Sequence, residues 1–176
     1  GQRPARLDEI QALSRFYGVS ANSLLRQEAV HVDLVPRFRS LPDTGGVGIE
    51  QAARVLSDLV RVEVELENIL GIHKPYNYPA EKTILPGDVR KQAEQDAQSL
   101  RNWLGIGEGP IQNLFALLEL QLGVRVYARK LDAKVSGLFA YDEAVGACIL
   151  INAGHRQDRR TLTGAHELGH FIATRR

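Results

Sequence analysis

Near the end of the chain, His166-Glu167-Leu168-Gly169-His170 demands a helix of any fold that uses it. On a helix, positions i and i+4 sit one turn apart on the same face. Two imidazoles so placed can aim ring nitrogens at one tetrahedral cation, at about 2.0–2.1 Å. Glu167 adjoins the first histidine and can reach a water on that cation without ligating it. Its carboxylate can then take the water's proton and pass it to a leaving amine. The pattern thus predicts a helix over about 156–176, with Leu162, Ala165, Leu168 and Ile172 as its buried stripe and His166 and His170 on an adjacent face.

Composition excludes several other classes. The chain has 176 residues, 44% hydrophobic and 24% charged, enough for one modest core or two small ones. A formal net charge of +1 gives no sign of a strongly basic nucleic-acid binder or an acidic tail. The single cysteine, Cys148, rules out an intrachain disulfide framework and a cysteine zinc ribbon. It falls in an apolar run and reads as a small buried hydrophobe. No apolar run approaches the ~20 residues of a membrane helix, and no signal segment opens the chain, so no membrane role and a cytoplasmic setting are expected. The chain opens at Gly1 and contains no methionine, which reads as a piece of a longer protein.

Elements follow from periodicity. Residues 7–18 read as a helix with Ile10, Leu13 and Phe16 inward and Gly18 as its stop; a short helix follows, capped by Ser20 or Asn22. Residues 29–46 read as a linker with a strand near His31–Val35. A long helix follows, with Ile49, Ala52, Ala53, Leu56, Leu59 and Val60 on a stripe continued by Leu66, Ile69 and Leu70; such a stripe should pack on another helix, within the chain or across a homodimer seam. The proline-rich stretch 72–86 reads as a second linker and a natural boundary, its Tyr76 and Tyr78 packing against the helices. Asp88 caps a helix whose inward face is Val89, Ala93, Ala97, Leu100 and Leu104. The turn Gly105–Pro110 is glycine-rich but follows a helix and lacks a P-loop lysine. Helix 111–122 turns Ile111, Leu114, Leu117, Leu118 and Leu122 inward, with Gln121 at the edge. The period then changes to two: a strand at Val124–Ala128, and runs 137–141 and 147–152 at hairpin spacing.

The stretch from Gly105 to Phe171 resembles the ImmA/IrrE family of zincin-like metalloproteins. The likeness rests on the Gly-Pro turn, leucine-rich Leu114–Leu120, Leu122-Gly-Val-Arg-Val126, Ser136-Gly-Leu-Phe-Ala140, Ile149-Leu-Ile-Asn152, Arg159-Arg160-Thr-Leu-Thr163 and His166–His170. It implies a zinc-dependent endopeptidase acting on a repressor protein, with His166 and His170 as metal ligands and Glu167 as the catalytic carboxylate. Leu7–Leu25 is similar to the last helices of an XRE-type helix-turn-helix regulator, implying DNA contact through a recognition helix ahead of Gly1.

The expected fold is therefore α+β: a helical N-terminal half, then a zincin-like half with a small, mainly antiparallel sheet and the HExxH helix. The expected division is a helix-turn-helix remnant over 1–28, linker and long helix over 29–86, and a metallopeptidase domain over 87–176 that is cut short. A catalytic zinc needs three protein ligands. Ala173 and Arg176 stand where a metzincin would have glycine and histidine. The resemblance implies an acidic third ligand on a later helix. His155 lies roughly four turns ahead of His170, too far along the axis to share an ion; Asp158 is the other nearby candidate. The expectation is that this piece binds zinc weakly or not at all and is inactive by itself. A second reading makes the chain a regulator whose zincin-like part is a non-catalytic sensor. His31 and His73 read as surface side chains, and the arginines of 156–160 as a solvated helix start able to guide an acidic partner.

Overall fold

A computed structural model describes residues 5–18, 21–25 and 46–173. The chain divides into two compact units, Gly1–His31 and Val32–Arg176. The first contains α1 (Leu7–Tyr17) and α2 (Ala21–Leu25). The backbone N–H of Arg6 donates to Glu9 Oε2 at 2.9 Å at the start of α1. Gly18 ends it in the left-handed region at φ 65°, its N–H returning to the Ser14 carbonyl. Of the expected stripe only Ile10 is buried; Leu13 and Phe16 are exposed, because a five-residue partner helix offers little surface to cover them. Asn22 falls within the span of α2, and Ser20 lies outside the described residues. The strand expected near His31–Val35 and His31 itself lie outside the described residues.

The second unit is built around a three-stranded sheet of β1 (Arg125–Arg129), β2 (Gly137–Asp142) and β3 (Gly146–Asn152), in the order β1-β3-β2. All seven residues of β3 are buried. Its side chains alternate between two covers. Ala147, Ile149 and Ile151 join Leu114, Leu117, Leu118, Leu122, Leu168 and Phe171 on one face. Cys148 and Leu150 join Ala52, Leu56 and Val60 on the other. Burial pushes the Cys148 thiol up to about 12, so it stays a protonated, apolar filler.

The fold is α+β as expected, but the sheet is mixed. β2 pairs antiparallel with β3, as the hairpin spacing predicts, while β1 pairs parallel with it, Arg125 opposite Cys148 through Arg129 opposite Asn152. Alternation identifies strands but not their neighbours. The β1–β2 connection has to pass the end of β3, and Asn152 holds it there. The Asn152 Oδ1 accepts from the N–H groups of Leu131 and Gly154, and its Nδ2 donates to the carbonyls of Asp132 and Val135.

Among the described residues the long helix α3 (Gly46–Leu70) packs mainly on the sheet. Its inward line runs through buried Leu56 and Val60 to half-buried Glu63 and Glu67 at helical spacing, so the expected continuation through Leu66, Ile69 and Leu70 is exposed. The line turns polar because β1 presents Arg125, itself 2% exposed. Arg125 grips Glu67 with two bonds of 2.7 Å and Glu63 with one of 2.5 Å, and its Nε donates to the Val145 carbonyl at 3.1 Å. Burial raises the Glu63 carboxyl, but the Tyr127 hydroxyl, Arg125 and Lys74 outweigh it and hold it below the usual range.

The leucine helix is shorter and less regular than its spacing suggests. It consists of α5 (Leu114–Ala116), capped by Asn113, and a π-helical turn over Leu117–Gln121. Gly123 follows at φ 73°, where a Cβ would come within 2.2 Å of the Pro75 carbonyl oxygen. Ile111 lies ahead of this helix, and Gln121 is exposed as expected. In α4 (Val89–Leu104) Asp88 accepts from Lys91 N–H as a cap, yet no residue of the helix is buried. Val89, Ala93 and Ala97 are exposed, and only Leu100 and Leu104 reach the core.

Residues 74–82, expected as linker, form an ordered strap across the hairpin and the end of the last helix, α6 (Gln157–Ala173). Tyr76 Oη donates to the Val145 carbonyl, Tyr78 Oη accepts from Ala147 N–H, and Lys82 N–H donates to the Ile172 carbonyl. Tyr78 thus packs on Phe171 of helix α6, in line with the expectation, and Tyr76 stacks on Tyr78 at the sheet end. Among the described residues no helix is long and apolar enough to cross a membrane.

Arg125→Ala would leave two partly buried carboxylates with only Lys74, 3.6 Å from Glu63, as a neighbouring cation. The expected loss is about 3 kcal/mol, toward the lower end for a buried pair because both glutamates keep some water contact. Urea unfolding followed by circular dichroism measures it; an unchanged midpoint would show that Arg125 does not anchor α3.

Candidate metal centre

The helix α6 is anchored by its small residues and one ring. Gly164 lets Phe115 and Leu114 of α5 approach: a Cβ there would stand 2.9 Å from the Phe115 ring. Phe171 is fully buried among Tyr78, Phe139 and Tyr141. Thr163 is buried too, its hydroxyl satisfied by the Arg159 carbonyl at 2.9 Å. These contacts turn the helix away from the expected stripe. The buried set is Thr163, Gly164, Glu167, Leu168 and Phe171, while Leu162 is 72% exposed and Ala165 is exposed as well. A leucine gains more from burial than a threonine or glycine does. Here close backbone approach and the Phe171 socket decide the face instead.

The rotation brings His166 and His170 together on the outer side of the helix and turns Glu167 inward, toward β2. His166 is exposed and His170 half-buried. Their Nε2 atoms lie 3.0 Å apart and their rings cross at 85°. Two tetrahedral zinc ligands at about 2.0–2.1 Å stand about 3.3–3.4 Å from each other. The pair therefore fits a shared cation after a movement of a few tenths of an ångström. Among the described residues no group of three His, Cys, Asp or Glu side chains could hold a metal. His155 is engaged elsewhere, its Nε2 3.1 Å from the Ala133 carbonyl. Asp158 bonds the Arg159 N–H and pairs with Arg156.

Glu167 is 8% exposed and points to the sheet rather than to water. A Cβ on Gly137 of β2 would lie 2.6 Å from the Thr163 methyl and 3.5 Å from Glu167 Oε1, so glycine there lets the helix and its carboxylate approach the strand. Burial pushes the Glu167 carboxyl up to about 7. Among the residues that sequence reasoning did not assign to the site, Gly137 and Tyr78 matter most. A glycine at the head of a strand was the signal for the first; nothing local marks the second, since its partners lie far along the chain.

The raised carboxyl carries a pH dependence of stability in the metal-free protein. Between its ordinary 4.5 and about 7, Glu167 binds more proton folded than unfolded. Stability is therefore greatest below 4.5 for this group and falls as pH rises through 7, by up to about 3 kcal/mol. In chelator, Glu167→Gln should remove that slope, gaining on the parent protein between pH 5 and pH 8. Parallel slopes in denaturant titrations would show that burial does not tune this group.

Residues 119–176, which include β1 to β3 and all of α6, match the family described as IrrE N-terminal-like domain (Peptidase_M78). No curated protein and no solved structure matches the chain. The match covers the C-terminal third of the chain and takes in His166, Glu167 and His170, so this segment is similar to a metallopeptidase domain of the IrrE kind.

Proposed function

We propose that this chain carries the catalytic helix of a zinc-dependent endopeptidase that hydrolyses a peptide bond in a repressor or another regulatory protein. The observation that carries the reading is the 3.0 Å convergence of the two Nε2 atoms beside a buried carboxyl. The similarity of residues 119–176 to the IrrE N-terminal-like domain supports it. Zinc, when bound, supplies Lewis-acid polarisation of a scissile carbonyl and acidification of water. His166 and His170 would hold it through Nε2. Glu167, which faces β2 in the structure, would turn its carboxylate toward the histidines to accept a proton from water and return it to the leaving amine. The third ligand that the resemblance implies, an acidic side chain, is not among the described residues. The setting we infer is cytoplasmic.

A second reading comes from α1, the Gly18 turn and α2, whose order suits the tail of an XRE-type helix-turn-helix. In it the chain belongs to a DNA-binding regulator, and the histidine pair serves a non-catalytic sensor.

Incubating a form of the protein that carries the third, acidic ligand with zinc and a candidate repressor separates the two. Glu167→Gln should lower cleavage by about 10²–10⁴-fold with folding retained. Cleavage at the parent rate would remove Glu167 from the chemistry, and DNA regulation unaltered by that variant would favour the sensor. In that same form, His166→Ala and His170→Ala should each weaken zinc binding by at least about tenfold in a chelator competition. Equal affinity in both variants would place the metal elsewhere.

A further inference from the structure

The strongest concentration of charge outside the histidine pair lies at the start of α6. Residues 129–134 and 156–160 contribute six cations, Arg129, Lys130, Lys134, Arg156, Arg159 and Arg160, against two carboxylates, Asp132 and Asp158. The two segments carry a formal +4 while the whole chain carries +1, so the remainder of the chain is net negative. The two segments are held together by the bonds that close the sheet. Ala153 N–H donates to the Arg129 carbonyl at 2.8 Å, His155 Nε2 meets the Ala133 carbonyl at 3.1 Å, and Arg159 Nη2 donates to Ser136 Oγ at 2.9 Å. Both carboxylates have local duties: Asp132 bonds Lys134 N–H, and Asp158 bonds Arg159 N–H and pairs with Arg156. The remaining cations face solvent, apart from half-buried Arg160.

This patch shares a helix face with the histidines. Arg159, Leu162, His166 and His170 stand at i, i+3, i+7 and i+11, one face of α6. The first three are exposed and the last half-buried. Seven residues of helix separate Arg159 from His166 by about 10.5 Å. An extended peptide covers that distance in about three residues. Leu162, 72% exposed, lies between them as an apolar contact.

We propose that Arg156, Arg159 and Lys134 form a docking subsite for an acidic residue of a peptide laid along α6, about three residues from the position held over His166 and His170. The inference rests on the peptidase reading for its register, but the docking itself requires neither metal nor cleavage. An acidic peptide fits better than a nucleic acid. The patch is short, the chain as a whole is nearly neutral, and a phosphate backbone has no use for a leucine midway.

The test is binding of a blocked Ala/Leu peptide carrying a Glu-Asp pair and a nitroxide three residues beyond it, with its Gln-Asn counterpart as control. Two or three exposed ion pairs predict about fivefold tighter binding of the acidic peptide. High salt and the double variant Arg156→Glu/Arg159→Glu should abolish the difference. The nitroxide should broaden the ring-proton resonances of His166 and His170. Moved next to the acidic pair, it should broaden residues 129–134 instead. Equal binding of the neutral peptide would overturn the proposal, as would tighter binding of a DNA duplex that displaces the acidic peptide. Broadening that never reaches the histidines would overturn the register. If the acidic peptide binds in register while Glu167→Gln leaves cleavage unchanged, the peptidase reading fails and the docking surface stands.

Discussion

Burial of β3 on both faces is the constraint around which this unit is arranged. A strand whose side chains alternate into two separate apolar clusters needs a cover on each side. It also needs a neighbour at each edge, because unpaired backbone groups in the interior are costly. α3 supplies one cover, and α5, its π turn and α6 supply the other. β1 and β2 supply the neighbours. The position of α6 relative to β2, and with it the distance from Glu167 to Gly137, follows from that sandwich.

Two polar devices hold the sandwich in register. Arg125 joins β1 to α3 through a bidentate bond to Glu67 and a further bond to Glu63, so the far half of a 25-residue helix is held by charge, not by leucines. Asn152 gathers the β1–β2 connection at the end of β3 and so fixes where β2 begins. The strap at 74–82 acts on the opposite side, where Tyr78 closes on Phe171 one residue beyond His170. The histidine pair and the carboxyl therefore sit on a helix restrained along both its inner face and its C-terminal turn. A site of this chemistry needs such rigidity to keep two rings convergent.

Much of this was legible before any coordinates. The change from helical to alternating period at Gly123 located the sheet, and hairpin spacing paired β2 with β3. Asp88 and Gly18 marked helix ends by local chemistry that works in any context. The errors share a cause. Val89, Ala93 and Ala97 repeat at helical spacing, as do Leu66, Ile69 and Leu70, yet all six are exposed, because periodicity reports a capacity for burial and not the presence of a partner. The stretch 72–86 has no helix or strand, as its prolines predict, but it is hydrogen-bonded to the sheet end. Prolines prevent regular structure but not hydrogen bonding to distant strands.

What the sequence determined by itself is the pairing of His166 with His170 and the nearness of Glu167, since the helical repeat alone brings i and i+4 to one side. What only the tertiary structure decided is which side of α6 faces inward. Phe171 and the close approach at Gly164 set that rotation, through contacts with Tyr78, Phe139 and Phe115 far away in the chain. The same rotation took Glu167 out of water and left Leu162 in it. Acidity near neutrality is therefore a property of packing, because an isolated helix would leave that carboxyl solvated and ionised.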